Sequence, residues 1–302
     1  AVKETINVGR QAGVQVDISH HKMLGKPNWG KQKQTLALIN EANAEGIPTI
    51  CDQYPYTRNM TTLNACIPPW HFSNGFSSIT EKLKDPAFRA QLKQEMEDPA
   101  TAYDNYYLNA GGWDGVYVYS AANTPDAEGR YITEYAQLIG KDPWTAFFDL
   151  CVANNCSTGG VYSSMCDEDV CEIIQNPYCI VGSDGLTRSW KEKGHPRARA
   201  TFPHAITYFV KEKGILTLEQ AVHKMTGLTA KYLSVKDRGL IREGYVADLV
   251  LFDYDRLQDT ATYKNSNSIT EGIDYVFVGG EIVYHDKQFT GKYPGKMLRH
   301  NA

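Results

Sequence analysis

With 302 residues, 42% of them hydrophobic and 22% charged, the chain has an ordinary globular composition and room for one large domain or two smaller ones. A net charge of −4 without any Lys/Arg block argues against a nucleic-acid or anionic-membrane surface, and no apolar run approaches the ~18 residues of a membrane span. Seven cysteines, an odd number with no C-x-x-C pair, exclude neither metal nor redox chemistry, but they argue against a disulfide framework or zinc ribbon and for buried reduced thiols in a cytoplasmic protein.

The chain opens on a helical pattern over residues 3–12, stopped by Gly13. An alternating strand follows, Val14 to Ser19, ending at His20-His21. A loop broken by Gly25, Pro27 and Gly30 leads to an amphipathic helix over 34–44, with Leu36, Leu38, Ile39 and Ala42 as its apolar stripe. Gly46 ends it, and Pro48 to Asp52 reads as a second strand running into Gln53-Tyr54-Pro55-Tyr56. Helix, glycine, strand and polar strand end have now occurred twice, which is the rhythm of a parallel βα sheet. Between about 57 and 140 the rhythm breaks. Thr80 to Glu97 is expected as one helix capped by Thr80, and Tyr106–Leu108 and Val116–Tyr119 as strands around a glycine-rich hairpin turn. An excursion of ~80 residues is too long for a plain loop and is expected to build a lid. The rhythm resumes with a helix over 143–152, a strand from Gly160 to Met165, a helix over 167–175, and a strand from Cys179 to Val181. Helices over 203–213 and 217–225 follow, then β-rich runs at 239–252 and 274–284.

Asp184 stands just past the strand at 179–181. At the C-terminal mouth of a parallel barrel, a carboxylate can hold a metal or move a proton. Locally, a helix cap or turn residue is the plainer account of an Asp there. His20 at another strand end is a candidate metal ligand, because zinc takes imidazole nitrogen and carboxylate oxygen; a structural histidine is the plainer alternative. Arg197, after His195-Pro196, is a candidate clamp for a carboxylate or else a solvated loop residue. Tyr54 is the polar group at the end of the second strand. No G-x-S-x-G and no phosphate-binding glycine loop is present, and none of the eight histidines forms a His-x-His pair.

These residues, taken jointly, resemble N-acyl-D-amino-acid deacylases (D-aminoacylases) of the amidohydrolase superfamily. The matching stretches are Ile18-Ser19-His20-His21-Lys22 with Gly25 to Lys31, Asp52 to Thr57, Ala110 to Asp114, Glu128-Gly129-Arg130, Val181 to Gly185, His195-Pro196-Arg197, Thr201-Phe202-Pro203, Lys224-Met225-Thr226 and Arg238 to Val250. The resemblance runs over essentially the whole chain. It implies an α/β fold, the C-terminal half of a (β/α)₈ TIM-type barrel plus part of a small β-sandwich. Residues 1–238 would supply strands five to eight with the inserted lid at about 57–140, and 239–302 the sandwich portion and C-terminal tail.

The resemblance further implies one or two zinc ions and hydrolysis of an N-acyl-D-amino acid. His20 would be a metal ligand on the fifth strand, Asp184 both ligand and proton shuttle, and Arg197 the group that binds the substrate carboxylate, with Tyr54 beside it. Some relatives carry a His where this chain has Tyr54, and the family's His-x-His is absent. The remaining metal ligands are therefore expected from an N-terminal fragment or second chain that completes the barrel. Two alternatives stay open: a cyclic-amide hydrolase of the hydantoinase or dihydroorotase type, and a non-catalytic half of a split protein.

Overall fold

The computed structural model describes residues 1–187 and 189–299; the last three residues of the expected tail lie outside them. The first helix, Val2–Ala12, ends at Gly13, whose φ of 64° is the left-handed turn a glycine makes without strain. Strand β1 (Val16–Ile18) follows, then the helix Gln32–Ala44 and strand β2 (Thr49–Gln53). The helix buries Leu36, Ile39 and Ala42 of the expected stripe, with Leu38 only half-buried, and packs against β2 and the later helix Asp167–Gln175.

The inserted unit then leaves the sheet. It carries β3 (Asn59–Thr62), β4 (Val116–Ser120), β5 (Arg130–Tyr131) and β6 (Gly159–Tyr162), which hydrogen-bond in the order β3-β6-β4-β5, all antiparallel. Its core is aromatic. Trp113 stacks on Phe147 at 4.4 Å and meets Trp144 edge-on at 5.0 Å. Phe147 is completely buried, a contribution of roughly 1.5–3 kcal/mol. Expectations inside this unit are corrected at three places. The helix foreseen over 80–97 is two, Phe76–Lys82 and Pro86–Glu97, because Asp85 caps the second by accepting the Ala87 N–H at 2.9 Å and Pro86 can only start a helix. Tyr106–Asn109 is a helical turn, not a strand, capped by Asn105. The glycine-rich stretch foreseen as a hairpin turn instead carries a 3₁₀ turn, Trp113–Gly115.

Strand β7 (Cys179–Val181) returns to β2, and the parallel sheet has the order β1-β2-β7. The run at 160–165, expected as the third of four strands in the parallel rhythm, instead supplies β6 of the inserted sheet, which pairs antiparallel with β3 and β4. Three parallel strands, not four, therefore come from the described residues. The inserted sheet takes in residues up to Tyr162.

After the helix Arg197–Ala205 the chain continues as a π-helical segment, Ile206–Glu212. Pro203 inside that helix removes one N–H from the ladder, and a wider turn follows it. The C-terminal strands β8 (Leu249–Phe252), β9 (Ile273–Val278), β10 (Glu281–His285) and β11 (Gln288–Phe289) form an antiparallel sheet in the order β11-β10-β9-β8. Leu249, Val250 and Leu251 on its edge strand are all exposed. No helix among the described residues is long and apolar enough to cross a membrane.

Candidate active site

Sheet alternation sets the starting point. In the register of β1, β2 and β7, Cys51, Cys179 and Val181 face the helices and are buried there. Asp17 and Asp52 lie on the opposite face, and Asp17 is exposed. Partial burial, then the like charge and hydrogen bond of Asp52, push the Asp17 carboxyl up to about 7. Because the Asp17 side of the strand is open, the contact between the two carboxyls is the firmer cause.

The chain turns sharply after β1 and β7. His20 has φ 40° and Asp184 φ 45°, left-handed values that few non-glycine residues adopt and that collect at functional sites. The two adjacent histidines part company here. His21 turns inward, with its Nε2 2.9 Å from Thr35 Oγ1, and burial pushes it down to about 4. His20 stays exposed, and its Nδ1 accepts from Lys22 Nζ at 2.9 Å. Lys22 also donates to the His20 carbonyl. Burial pulls its ammonium down to about 8, with Asp184, Asp52 and Asp104 opposing and Arg197 adding to the fall.

Asp184 is paired with Arg197, Oδ2 to Nη2 at 2.9 Å. The Asp184 side chain is 32% exposed and that of Arg197 only 4%, so a ligand reaches the carboxylate first and the guanidinium at the floor of the site. The Arg197 guanidinium lies 4.7 Å over the Tyr54 ring, and the Lys22 ammonium 5.6 Å from it. Arg197 Nε and Nη1 and the Tyr54 hydroxyl are buried and have no partner among the described residues. Burial raises the Tyr54 phenol far above its usual range, so it is a donor at neutral pH. Buried donors left over beside a buried cation call for an acceptor.

His195 holds Arg197 in place. Its Nδ1 accepts the Arg197 backbone N–H at 3.0 Å, so its Nε2 carries the proton and donates to the Arg58 carbonyl at 2.9 Å. Tyr56 and Tyr263 close on the ring edge-on, both at 5.0 Å. Burial, then the Arg197 charge, hold the imidazole well below 6.5. The unfolded chain therefore takes up a proton that the native state refuses. Stability is complete above about 6.5 and falls as the pH drops below it, by up to ~1.4 kcal/mol per pH unit. The acid limb of a plot of denaturation midpoint against pH is expected to flatten by about one proton in His195→Gln; an unchanged limb would show that His195 is not held neutral.

Of the four residues singled out in the sequence, Asp184, Arg197 and Tyr54 form one connected cluster. His20 joins it through Lys22. Lys22, Asp52 and His195 were not singled out. The strand-end rule that picks Asp184 also picks Asp52, whereas Lys22 and His195 carry no local signal beyond their matching stretches. Among the described residues no group of three or more His, Cys, Asp or Glu is placed to hold a metal ion.

The amidohydrolase family matches this chain over residues 73–284. The chain belongs to the amidohydrolase family. Within the family it is 32% identical to a D-aminoacylase of Alcaligenes xylosoxydans xylosoxydans over 302 residues, 100% of this chain and 52% of the relative. It superposes with a TM-score of 0.74 on a D-aminoacylase described as having a binuclear metal centre, at 31% identity over 96% of this chain and 51% of that one. An N-acyl-D-glutamate deacylase from Bordetella bronchiseptica, complexed with zinc and a phosphonate that mimics the tetrahedral intermediate, gives 0.73 at 30% identity over 95% of this chain and 50% of that one. The chain thus spans about half the length of the family relatives it matches.

Proposed function

We propose that this chain is the C-terminal portion of a zinc-dependent N-acyl-D-amino-acid deacylase, which cleaves the amide to a carboxylate and a free D-amino acid. The observation that carries the reading is Arg197: a buried guanidinium, bound on one side to Asp184, with two donors free on the other. A fork of that shape suits an α-carboxylate.

The barrel would be completed by residues outside this chain, from an N-terminal segment or a second polypeptide. Three observations support this. A three-stranded parallel sheet with an open face is not self-sufficient, because parallel strands are normally covered on both sides. The apolar edge strand β8 is exposed. The relatives are about twice as long.

His20 and Asp184 are donors of the kinds zinc accepts, and each now sits against a cation, Lys22 or Arg197. One or two ions would be held by them together with residues outside this chain. Bound zinc supplies Lewis acidity and an acidified water. The rest falls to the chain itself. Arg197 Nε and Nη1 hold the α-carboxylate, and the Tyr54 hydroxyl donates to it. Lys22 adds a second positive charge at the mouth. Asp184 takes a proton from the attacking water and returns it to the leaving amine. With the carboxylate fixed and the acyl carbonyl turned to Asp184, the two hands at Cα send the side chain in different directions, which is how the site would select one. The inserted unit covers the mouth as a lid, and the buried thiols suit a cytoplasmic protein.

The test is turnover by the complete zinc-loaded protein on N-acetyl-D-amino acids, their L-enantiomers and hydantoin. Hydrolysis of the D-compounds at least ~100-fold faster than the L-compounds is expected, a difference of ~2.7 kcal/mol in transition-state binding. Turnover of hydantoin alone would establish a cyclic-amide hydrolase, and turnover of neither a non-catalytic half.

A further inference from the structure

One side chain lies between the two turns that carry the site. Asp52 is the last residue but one of β2, the middle strand of the parallel sheet. Its Oδ1 accepts the backbone N–H of His20 at 2.8 Å, and its main-chain carbonyl accepts the N–H of His21 at 2.8 Å. Both amides of the turn after β1 are thus held by a single residue, at the point where His20 takes its left-handed φ of 40°. On its other flank Asp52 presses against β7. A Cβ placed on Gly182 would stand 2.7 Å from Asp52 Oδ1 and 3.0 Å from its Cβ, closer than real side chains approach. Gly182 is two residues before Asp184, whose own φ is 45°. Asp17 on β1 stands on the same face of the sheet as Asp52.

We propose that Asp52 is a positioning residue, the wedge that fixes His20 relative to Asp184. It makes no contact with substrate or reacting atoms. Outer groups that orient a ligand change metal affinity by ~10–100-fold when removed, and a displacement of about 1 Å at a reacting centre costs on the order of 100-fold in rate. Its effect on zinc and turnover rests on the zinc-hydrolase reading. Its hold on the His20 turn does not.

The experiment compares Asp52→Ala, Asp52→Asn and Gly182→Ala in the complete protein. Asparagine keeps an acceptor oxygen where Oδ1 stands. Gly182→Ala leaves Asp52 in the chain but pushes it aside. Zinc affinity is expected to fall ~10–100-fold in Asp52→Ala and Gly182→Ala. In both, kcat should fall at least ~10-fold and KM stay within about threefold, because Arg197 and Tyr54 are untouched. Asp52→Asn should recover both properties to within about threefold. Amide exchange at His20 should quicken ~10-fold or more in Asp52→Ala and stay slow in Asp52→Asn. Wild-type zinc affinity and kcat in Asp52→Ala would overturn the proposal, as would Asp52→Asn falling as far as Asp52→Ala. If the wild-type protein neither binds zinc nor turns over, the hydrolase reading fails by itself. His20 exchange then decides for Asp52, and an unchanged rate in Asp52→Ala overturns it.

Discussion

Asp184→Asn in the complete protein is expected to lower kcat by about 10²–10⁴-fold and to leave KM within about threefold. The substitution is close to isosteric. Its carboxamide oxygen still accepts from Arg197 Nη2, so the floor of the site keeps its shape. What disappears is the proton acceptor, together with an anionic donor for zinc. Steady-state kinetics on N-acetyl-D-amino acids separates the two losses. A fall in kcat that added zinc does not recover belongs to the proton shuttle, and one that it recovers belongs to metal binding. Near-normal turnover would remove Asp184 from the mechanism.

Arg197→Lys should act mainly on binding, raising KM by ~10–100-fold, the equivalent of one charge-assisted hydrogen bond at roughly 1.5–3 kcal/mol. The substitution keeps the charge and loses the fork. A lysine ammonium can reach Asp184 or the incoming carboxylate but cannot present Nε and Nη1 in one plane, nor lie flat on the Tyr54 ring. The effect should be confined to substrates that bear an α-carboxylate. Hydrolysis of an N-acetylated amine without one, however slow, should be indifferent to the change. An equal loss on both substrates would show that Arg197 supports the fold and not the carboxylate.

The parallel scaffold was legible because its strands announce themselves locally: β1 and β2 by a helix, a glycine stop, a short run and a polar residue at the end, and β7 by a short apolar run that stops at Gly182. Asp184, His20 and Tyr54 follow from that rule. The stretch at 160–165 has the same local pattern and goes elsewhere. Gly160, Val161 and Tyr162 pair antiparallel with β3 and β4, and pairing is a non-local choice that the run itself does not encode. Tyr106-Tyr107-Leu108 is aromatic and strand-like by composition, yet Asn105 accepts the Leu108 N–H at 3.1 Å and turns it into a helix start. The break at Asp85-Pro86 was readable from the cap-and-proline pair.

The site divides in the same way. Which residues end strands could be read, but how they join could not. The Lys22 contact to His20 and the Arg197 N–H bond to His195 are local, but the meeting of Arg197 and Lys22 over the Tyr54 ring, and the bond from His195 to the Arg58 carbonyl, join residues far apart in the chain. The tautomer of His195 likewise follows from two bonds to residues far apart in the chain, Arg58 and Arg197.

The most direct test is a crystal structure of the complete Asp184→Asn protein with a bound N-acetyl-D-amino acid. The expected result places the α-carboxylate within ~3 Å of Arg197 Nε and Nη1, over the Tyr54 ring, with the acyl carbonyl turned towards residue 184. A carboxylate bound away from Arg197, or an acyl group facing away from residue 184, would contradict it.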